Sequence, residues 1–344
     1  MHDPIRLLGI ARRNVVDDEA GLAHLTLEVR VVLLAVFAAL LMASLVSIAM
    51  VRFKPHRDYS ELRARIRTWW VIAGLIAACL LVSPTSAVWF FAFVSFLSLK
   101  EYFSLIPSRR ADRRVMFWAY LSIPIQYAWI ANGWYGMFII FVPVYLFMLL
   151  PVRMILIGQP KGFLQAIGAV QWGLMGTVFF LSHAAYLLVL PVAATPRVAP
   201  AWPHDLASTY PGPGLLLLLL VLTQTNDVAQ YLWGKSFGRR KIAPSVSPGK
   251  TYAGFLGGLG TTIVLAALIG PFLTMMDVPR SLMAGAIIAV TGLFGDLNIS
   301  ALKRDLGVKD AGATLPGHGG VLDRIDSLIF TAPVFFHFVW YCYG

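Results

Sequence analysis

RVVLLAVFAALLMASLVSIAMV, residues 30–51, carries one charge, Arg30, at its first position. A helix crossing a hydrocarbon core needs ~20 apolar residues at about 1.5 Å each, and this run supplies them. It is continuously apolar instead of alternating, so a helix that satisfies its own backbone is the expected form. Similar runs follow at 69–83, 85–99, 115–131, 133–150, 165–190, 214–233, 252–275, 281–302 and 327–343. The 69–99 region is either two short helices broken at Ser83-Pro84 or one re-entrant element. Pro124, Pro143 and Pro333 lie inside spans, where neighbouring helices can satisfy the freed backbone groups. Of the 344 residues, 58% are hydrophobic and 13% charged, against about 25% charged in soluble domains. Mean hydropathy is +0.73. The expected fold is an all-α, polytopic integral membrane protein with about ten transmembrane helices, which excludes the soluble classes.

Lys and Arg placement sets the expected orientation. Segments 52–68, 100–114, 151–164, 234–251 and 303–326 hold 22 of the 28 bases. We expect these on the cytosolic side (of the inner or plasma membrane in a bacterium), with both termini outside. The net charge of +11 is then mainly an orientation signal. Because the bases are spread over five loops, no nucleic-acid partner is expected; anionic lipid headgroups are. Cys79 and Cys342 form no paired motif and are given no disulfide, zinc or redox role. No cleavable signal peptide is expected, since acids precede the first apolar run. The chain divides into an N-terminal non-membrane segment (1–29), a transmembrane scaffold (30–190), a Pro-rich external loop (191–213) and a C-terminal region (214–344) that holds the polar motifs.

Within that last region, SALKRDLGVKDAGATLPGHGGVLDRID, residues 300–326, packs four acids, four bases and a histidine into a mostly apolar chain. Ionisable groups near lipid are costly, so such a cluster is read as a functional site. Asp296, Ser300 and Lys303 are spaced i, i+4, i+7 on one helix face, able to offer oxygen ligands to a divalent cation and an ammonium to a phosphate. Asp227 and Tyr231 repeat a one-turn spacing near the cytosolic end of their helix. Loop 234–251 holds Lys235, Arg239, Arg240, Lys241 and Lys250 and no acid. Its small residues allow backbone N–H groups to approach phosphate oxygens. Gly249-Lys250-Thr251 resembles the tail of a P-loop, but Pro244 stands where the first Gly belongs, so the Walker reading fails. His318, flanked by glycines, lacks companion ligands for zinc. Carboxylates beside phosphate-binding bases suit magnesium and a nucleotide. Gly254, Gly257, Gly258 and Gly260 lie within a span and are read as close helix packing.

Ser300-x-Leu302-Lys303-Arg304, Lys309-Asp310, Leu315-Pro316-x-His318-Gly319-Gly320 and Asp323-Arg324-x-Asp326 together resemble the signature of the phosphatidate cytidylyltransferases, or CDP-diacylglycerol synthases. Asp227-x-x-x-Tyr231-x-x-Gly234-Lys235 and Ser247-Pro248-Gly249-Lys250-Thr251 are similar to the family's upstream motifs. The resemblance implies a membrane enzyme that uses CTP and phosphatidate to make CDP-diacylglycerol and pyrophosphate. It also implies Mg2+, with a second cation left open, on Asp296 and Asp323 with Ser300 nearby. Lys303, Arg304, Asp310, His318 and Asp326 are the catalytic candidates. Asp227, Tyr231, Lys235, Arg239, Ser247, Lys250, Thr251 and Arg324 are the substrate-binding candidates. Ile299, Ala253 and Gln230 depart from the usual pattern, so a diverged paralogue acting on another lipid acceptor stays an alternative, with a non-enzymatic transporter or scaffold behind it. A homodimer is left open.

Overall fold

A computed structural model of the chain describes residues 25–53, 59–106, 113–158, 160–191, 211–312 and 319–344. Segment 1–29 and the Pro-rich loop therefore lie largely outside the described residues. The helices, in chain order, are α1 (Leu27–Phe53), α2 (Ser60–Val82), α3 (Pro84–Leu105), α4 (Arg113–Ala131), α5 (Tyr135–Ile155), α6 (Phe163–Val189), α7 (Gly212–Phe237), α8 (Tyr252–Leu273), α9 (Val278–Asp305) and α10 (Leu322–Tyr343). Every apolar run read from the sequence has become a helix. Among the described residues, nine are long and apolar enough to cross a membrane. The exception is α4, which is 19 residues long and carries Arg113, Arg114 and Gln126.

Local chemistry explains the boundaries. Ser83 accepts the Ser86 N–H at 3.0 Å while the Ser86 hydroxyl takes the Ser83 N–H, and Pro84 opens α3, so 69–99 is two helices and not a re-entrant element. Asp277 caps α9 by accepting the Arg280 N–H at 3.0 Å, and Gly307, at φ +70°, follows the helix at its other end. Pro143 lies in a π-helical turn, Phe141–Leu146, within α5, and a second such turn, Met175–Phe180, interrupts α6. Gln171 donates to the Leu146 and Phe147 carbonyls beside the first turn, which helps satisfy backbone groups where the regular ladder is broken.

The apolar core lies where α3 to α7 meet α10, around Tyr102, Tyr127, Phe138, Tyr186, Phe335 and Phe336. By contrast, α1 presents Leu34, Met42, Leu45 and Ile48 outward, as a lipid-facing helix does. The C-terminal helices α7 to α10 pack closely, and glycines make that approach possible. A Cβ on Gly254 would lie 2.6 Å from the Gln230 carbonyl oxygen, and one on Gly295 would lie 3.1 Å from Ser327 Cα.

Loop 234–251 begins in the last turn of α7 and holds the strands found among the described residues. It contains a two-stranded antiparallel hairpin, β1 (Lys241–Ala243) and β2 (Ser247–Thr251), with Lys241 opposite Thr251 and Ala243 opposite Ser247. A turn bond from Val246 N–H to the Ala243 carbonyl closes it at 3.2 Å. Gly238 lets the end of α7 sit directly against Thr251, where any Cβ would meet the threonine side chain.

Candidate active site

The polar residues of α7, β2, α9 and α10 meet at one end of this four-helix group. Lys250, from β2, points its ammonium at Asp296 Oδ2 of α9 at 2.5 Å and at Gln230 Oε1 of α7 at 3.1 Å. The second oxygen of Asp296 accepts the Ser300 hydroxyl at 3.2 Å, as the i, i+4 spacing predicted. Asp227 of α7 accepts the Ser327 hydroxyl at 3.1 Å, and Asp326 accepts the Ser327 N–H at 2.7 Å. Asp227, Asp296 and Asp326 all interact electrostatically with Lys250, and Asp227 and Asp326 with Arg324 as well. Burial alone would lower the Lys250 pKa, but the carboxylates of Asp296 and Asp227 outweigh it and hold the ammonium above the ordinary lysine value. Lys250 is therefore charged throughout the neutral range.

A second cluster stands further along α9, about 10 Å from the first by helix rise. Lys303 Nζ meets Asp323 Oδ1 at 2.7 Å, while Asp323 Oδ2 accepts the Ala311 and Gly320 N–H groups at 2.8 and 2.9 Å. Asp323 is 6% exposed. Arg304 is exposed, and its Nε donates to the Val246 carbonyl at 3.3 Å, tying the signature to the hairpin turn. Asp310 is exposed beside Gly319. The Arg324 Nε is buried with no hydrogen-bond partner among the described residues, and its charge acts on Asp227 and Asp326 of the first cluster.

The predicted residues thus fall into groups. Asp227, Lys250, Asp296, Ser300, Arg324 and Asp326 come together, and Lys303 and Asp323 form the neighbouring clasp. Tyr231 is 62% exposed and turned outward, with the Lys235 ammonium 5.8 Å from its ring; Arg239 is exposed too. These three are not brought into the cluster. Ser247 is half-buried opposite Ala243. Thr251 is buried and caps α8, accepting the Gly254 N–H at 3.0 Å. His318 lies outside the described residues. Sequence reasoning missed the roles of Gln230, Ser327 and Glu101. Gln230 stood out as a departure from the motif, and that departure is the residue holding Lys250. Ser327 directly follows the signature, and Glu101 is an acid at the edge of an apolar span.

Three carboxylates around one ammonium leave an excess of negative charge on hard oxygen donors, the chemistry that suits Mg2+. With the side chains placed as they are, no group of three or more His, Cys, Asp or Glu among the described residues is arranged to hold a metal ion. Lys250 is the cation that pairs with Asp296. Of the ligands implied by the resemblance, Asp296 and Ser300 share one cluster and Asp323 stands in the other.

The sequence profile of the cytidylyltransferase family matches residues 63–342. The chain belongs to that family. It is 45% identical over 310 residues to YnbB, an uncharacterized protein of Escherichia coli K12, covering 90% of this chain and 98% of that one. It is 32% identical over 284 residues to a phosphatidate cytidylyltransferase of Thermotoga maritima, covering 80% and 94%. A phosphatidate cytidylyltransferase of Haemophilus influenzae is 42% identical over 143 residues, or 40% of this chain and 50% of that one. Membership makes the chain a membrane nucleotidyltransferase of the transferase class, with a nucleotide and a lipid as the substrate classes the family implies.

Proposed function

We propose that the protein transfers the cytidylyl group of CTP to phosphatidate, giving CDP-diacylglycerol and pyrophosphate for phospholipid biosynthesis. The observation that carries this reading is the Lys250–Asp296 pair set among Asp227, Asp326 and Arg324 at the end of membrane-spanning helices. A phosphate oxygen of the lipid attacks the α-phosphorus of CTP, the bond to the β-phosphate oxygen breaks, and pyrophosphate leaves. No side-chain nucleophile is needed. Two polyanions must be brought together and aligned, so positioning and charge neutralisation supply most of the catalysis.

Lys250, fixed by Asp296 and Gln230, would meet the triphosphate. Arg324, with its unpaired Nε, and Arg304 at the exposed edge are the further anion-binding groups. Lys303 is committed to Asp323 and holds the signature in place. Asp296 is the carboxylate we assign to magnesium, with Ser300 orienting it, while Asp227 and Asp326 add negative charge around it without forming a three-carboxylate cage in this arrangement. Once bound, the ion would neutralise phosphate charge and polarise the reacting phosphoryl oxygens.

The cytosol, where CTP is found, is the side we assign to the site. Two contacts support a shared face for the basic segments: Arg304 to Val246 joins 303–326 to 234–251, and Leu322 to Glu101 joins it to 100–114. Both termini outside requires an even number of crossings, so α4 must span as well.

Purified protein with CTP, magnesium and phosphatidate should release pyrophosphate and form liponucleotide. Absence of both across lipid and metal choices would sink the reading. Asp296→Ala should remove most turnover, and full turnover in that variant would refute its assigned role.

A further inference from the structure

Besides the apolar packing of α3 to α7 on α10, a buried acid links the N-terminal helices to the signature loop. Glu101, in the last turn of α3, is 7% exposed, and its Oε2 accepts the backbone N–H of Leu322 at 2.8 Å. Leu322 is the first residue of α10, and Val321 before it supplies no side-chain cap. A carboxylate there satisfies an orphan donor and complements the helix dipole. The same carboxylate packs on two glycines of the signature loop. A Cβ on Gly312 would come 3.2 Å from Oε1, and a Cβ on Gly320 would overlap Oε2. The two glycine backbones also abut, since that Gly320 Cβ would lie 3.0 Å from the Gly312 nitrogen. On the far side, Asp323 Oδ2 takes the Ala311 and Gly320 N–H groups. Two carboxylates, one from α3 and one from α10, therefore close the neck between whose ends residues 313–318 lie in the chain.

We propose that Glu101 is a positioning residue for the nucleotidyl transfer, fixing the neck of the signature loop and the start of α10. Through α10 it sets Asp323, Arg324 and Asp326 against α9. Glu101 touches no substrate itself; it acts through the backbone of Leu322 and the packing of Gly312 and Gly320. The proposal rests on the function proposed above and adds to it a residue from the half of the chain otherwise read as scaffold. The side-chain length matters, because Glu reaches the Leu322 N–H and Asp, one carbon shorter, does not. Gln keeps both the reach and an acceptor oxygen.

The test uses the full chain in detergent micelles with Glu101→Ala, Glu101→Gln and Glu101→Asp. For Glu101→Ala, kcat per folded molecule should fall about 10- to 100-fold, the scale of a ~1 Å misplacement, with KM for CTP changed far less. Glu101→Asp should behave like Ala, and Glu101→Gln should recover to within about 3-fold of the parent, since an amide oxygen replaces the carboxylate acceptor. Unchanged kcat in Glu101→Ala, with only the yield of folded protein lowered, would overturn the proposal. Hydrogen exchange on substrate-free protein separates this from the function itself. The amides of Ala311, Gly320 and Leu322 should exchange faster in Glu101→Ala while those of α9 hold, and unchanged exchange overturns the role of Glu101. Faster exchange in a protein whose parent turns over no phosphatidate would overturn only the assigned chemistry.

Discussion

Lys250→Met removes the ammonium and keeps most of the side-chain stem. In the parent, Lys250 and Asp296 are 18% and 20% exposed at a separation of 2.5 Å, so the pair is largely withdrawn from water. Removing one member of such a pair strands a charge and costs about 3–5 kcal/mol. Here Asp227 and Asp326 add to the stranded charge, while the remaining exposure allows some relief by solvent, so the low end, about 3 kcal/mol, is expected. For turnover, losing one positioned cationic donor to the reacting phosphates should lower kcat ~10²- to 10³-fold, or about 2.7–4 kcal/mol. Pyrophosphate release in micelles measures the second quantity, and thermal unfolding the first. Magnesium supplies the decisive contrast: with Asp296 freed of its ammonium, the variant should regain stability on magnesium addition more steeply than the parent, since ligand binding to the folded state stabilises it. Full turnover in Lys250→Met, or identical magnesium responses in the two proteins, would refute this reasoning.

Other outcomes follow from the same geometry. Lys250 has a raised pKa in the fold, so its stabilisation is complete below the ordinary lysine pKa of about 10.4 and is lost as pH climbs through the higher folded value. The gap in unfolding temperature between parent and Lys250→Met should thus stay level from about pH 7 to about pH 10 and close above that. Thr251→Val removes the α8 cap and should cost about 1 kcal/mol in denaturant unfolding, while Thr251→Ser should cost little. Asp323→Asn leaves Lys303 without its partner and should destabilise the protein by about 3 kcal/mol, read by thermal unfolding. Gln230→Ala, which frees Lys250 on one side, should raise KM for CTP more than it lowers kcat, measured by steady-state pyrophosphate release.

The spans were legible because the bilayer imposes both length and apolarity on them. Residues 30–51 needed no partner to be recognised, whereas α4, with its two arginines and Gln126, sits at the margin of that rule. The Asp296–Ser300 contact was also legible, since it follows from one helical spacing. The hairpin was not, because strands of three and five residues containing Pro248 and Gly249 carry no periodic signal. Long-range pairings were invisible for another reason. Glu101 meets Leu322 across 221 positions and Asp227 meets Ser327 across 100, and no local pattern encodes either meeting. The sorting of Asp323 into a clasp apart from Asp296 likewise depended on where Lys303 and the loop backbone lie.

The central claim is that the α-phosphoryl of CTP, with its cytidine, ends on the lipid. The most direct measurement is incubation of the purified protein, magnesium and phosphatidate with CTP labelled with 32P at either the α or the γ position. The α label should move into the lipid fraction while the γ label stays in water as pyrophosphate. Recovery of the γ label in the lipid, with release of CDP, would contradict it, and so would a lipid fraction free of both labels.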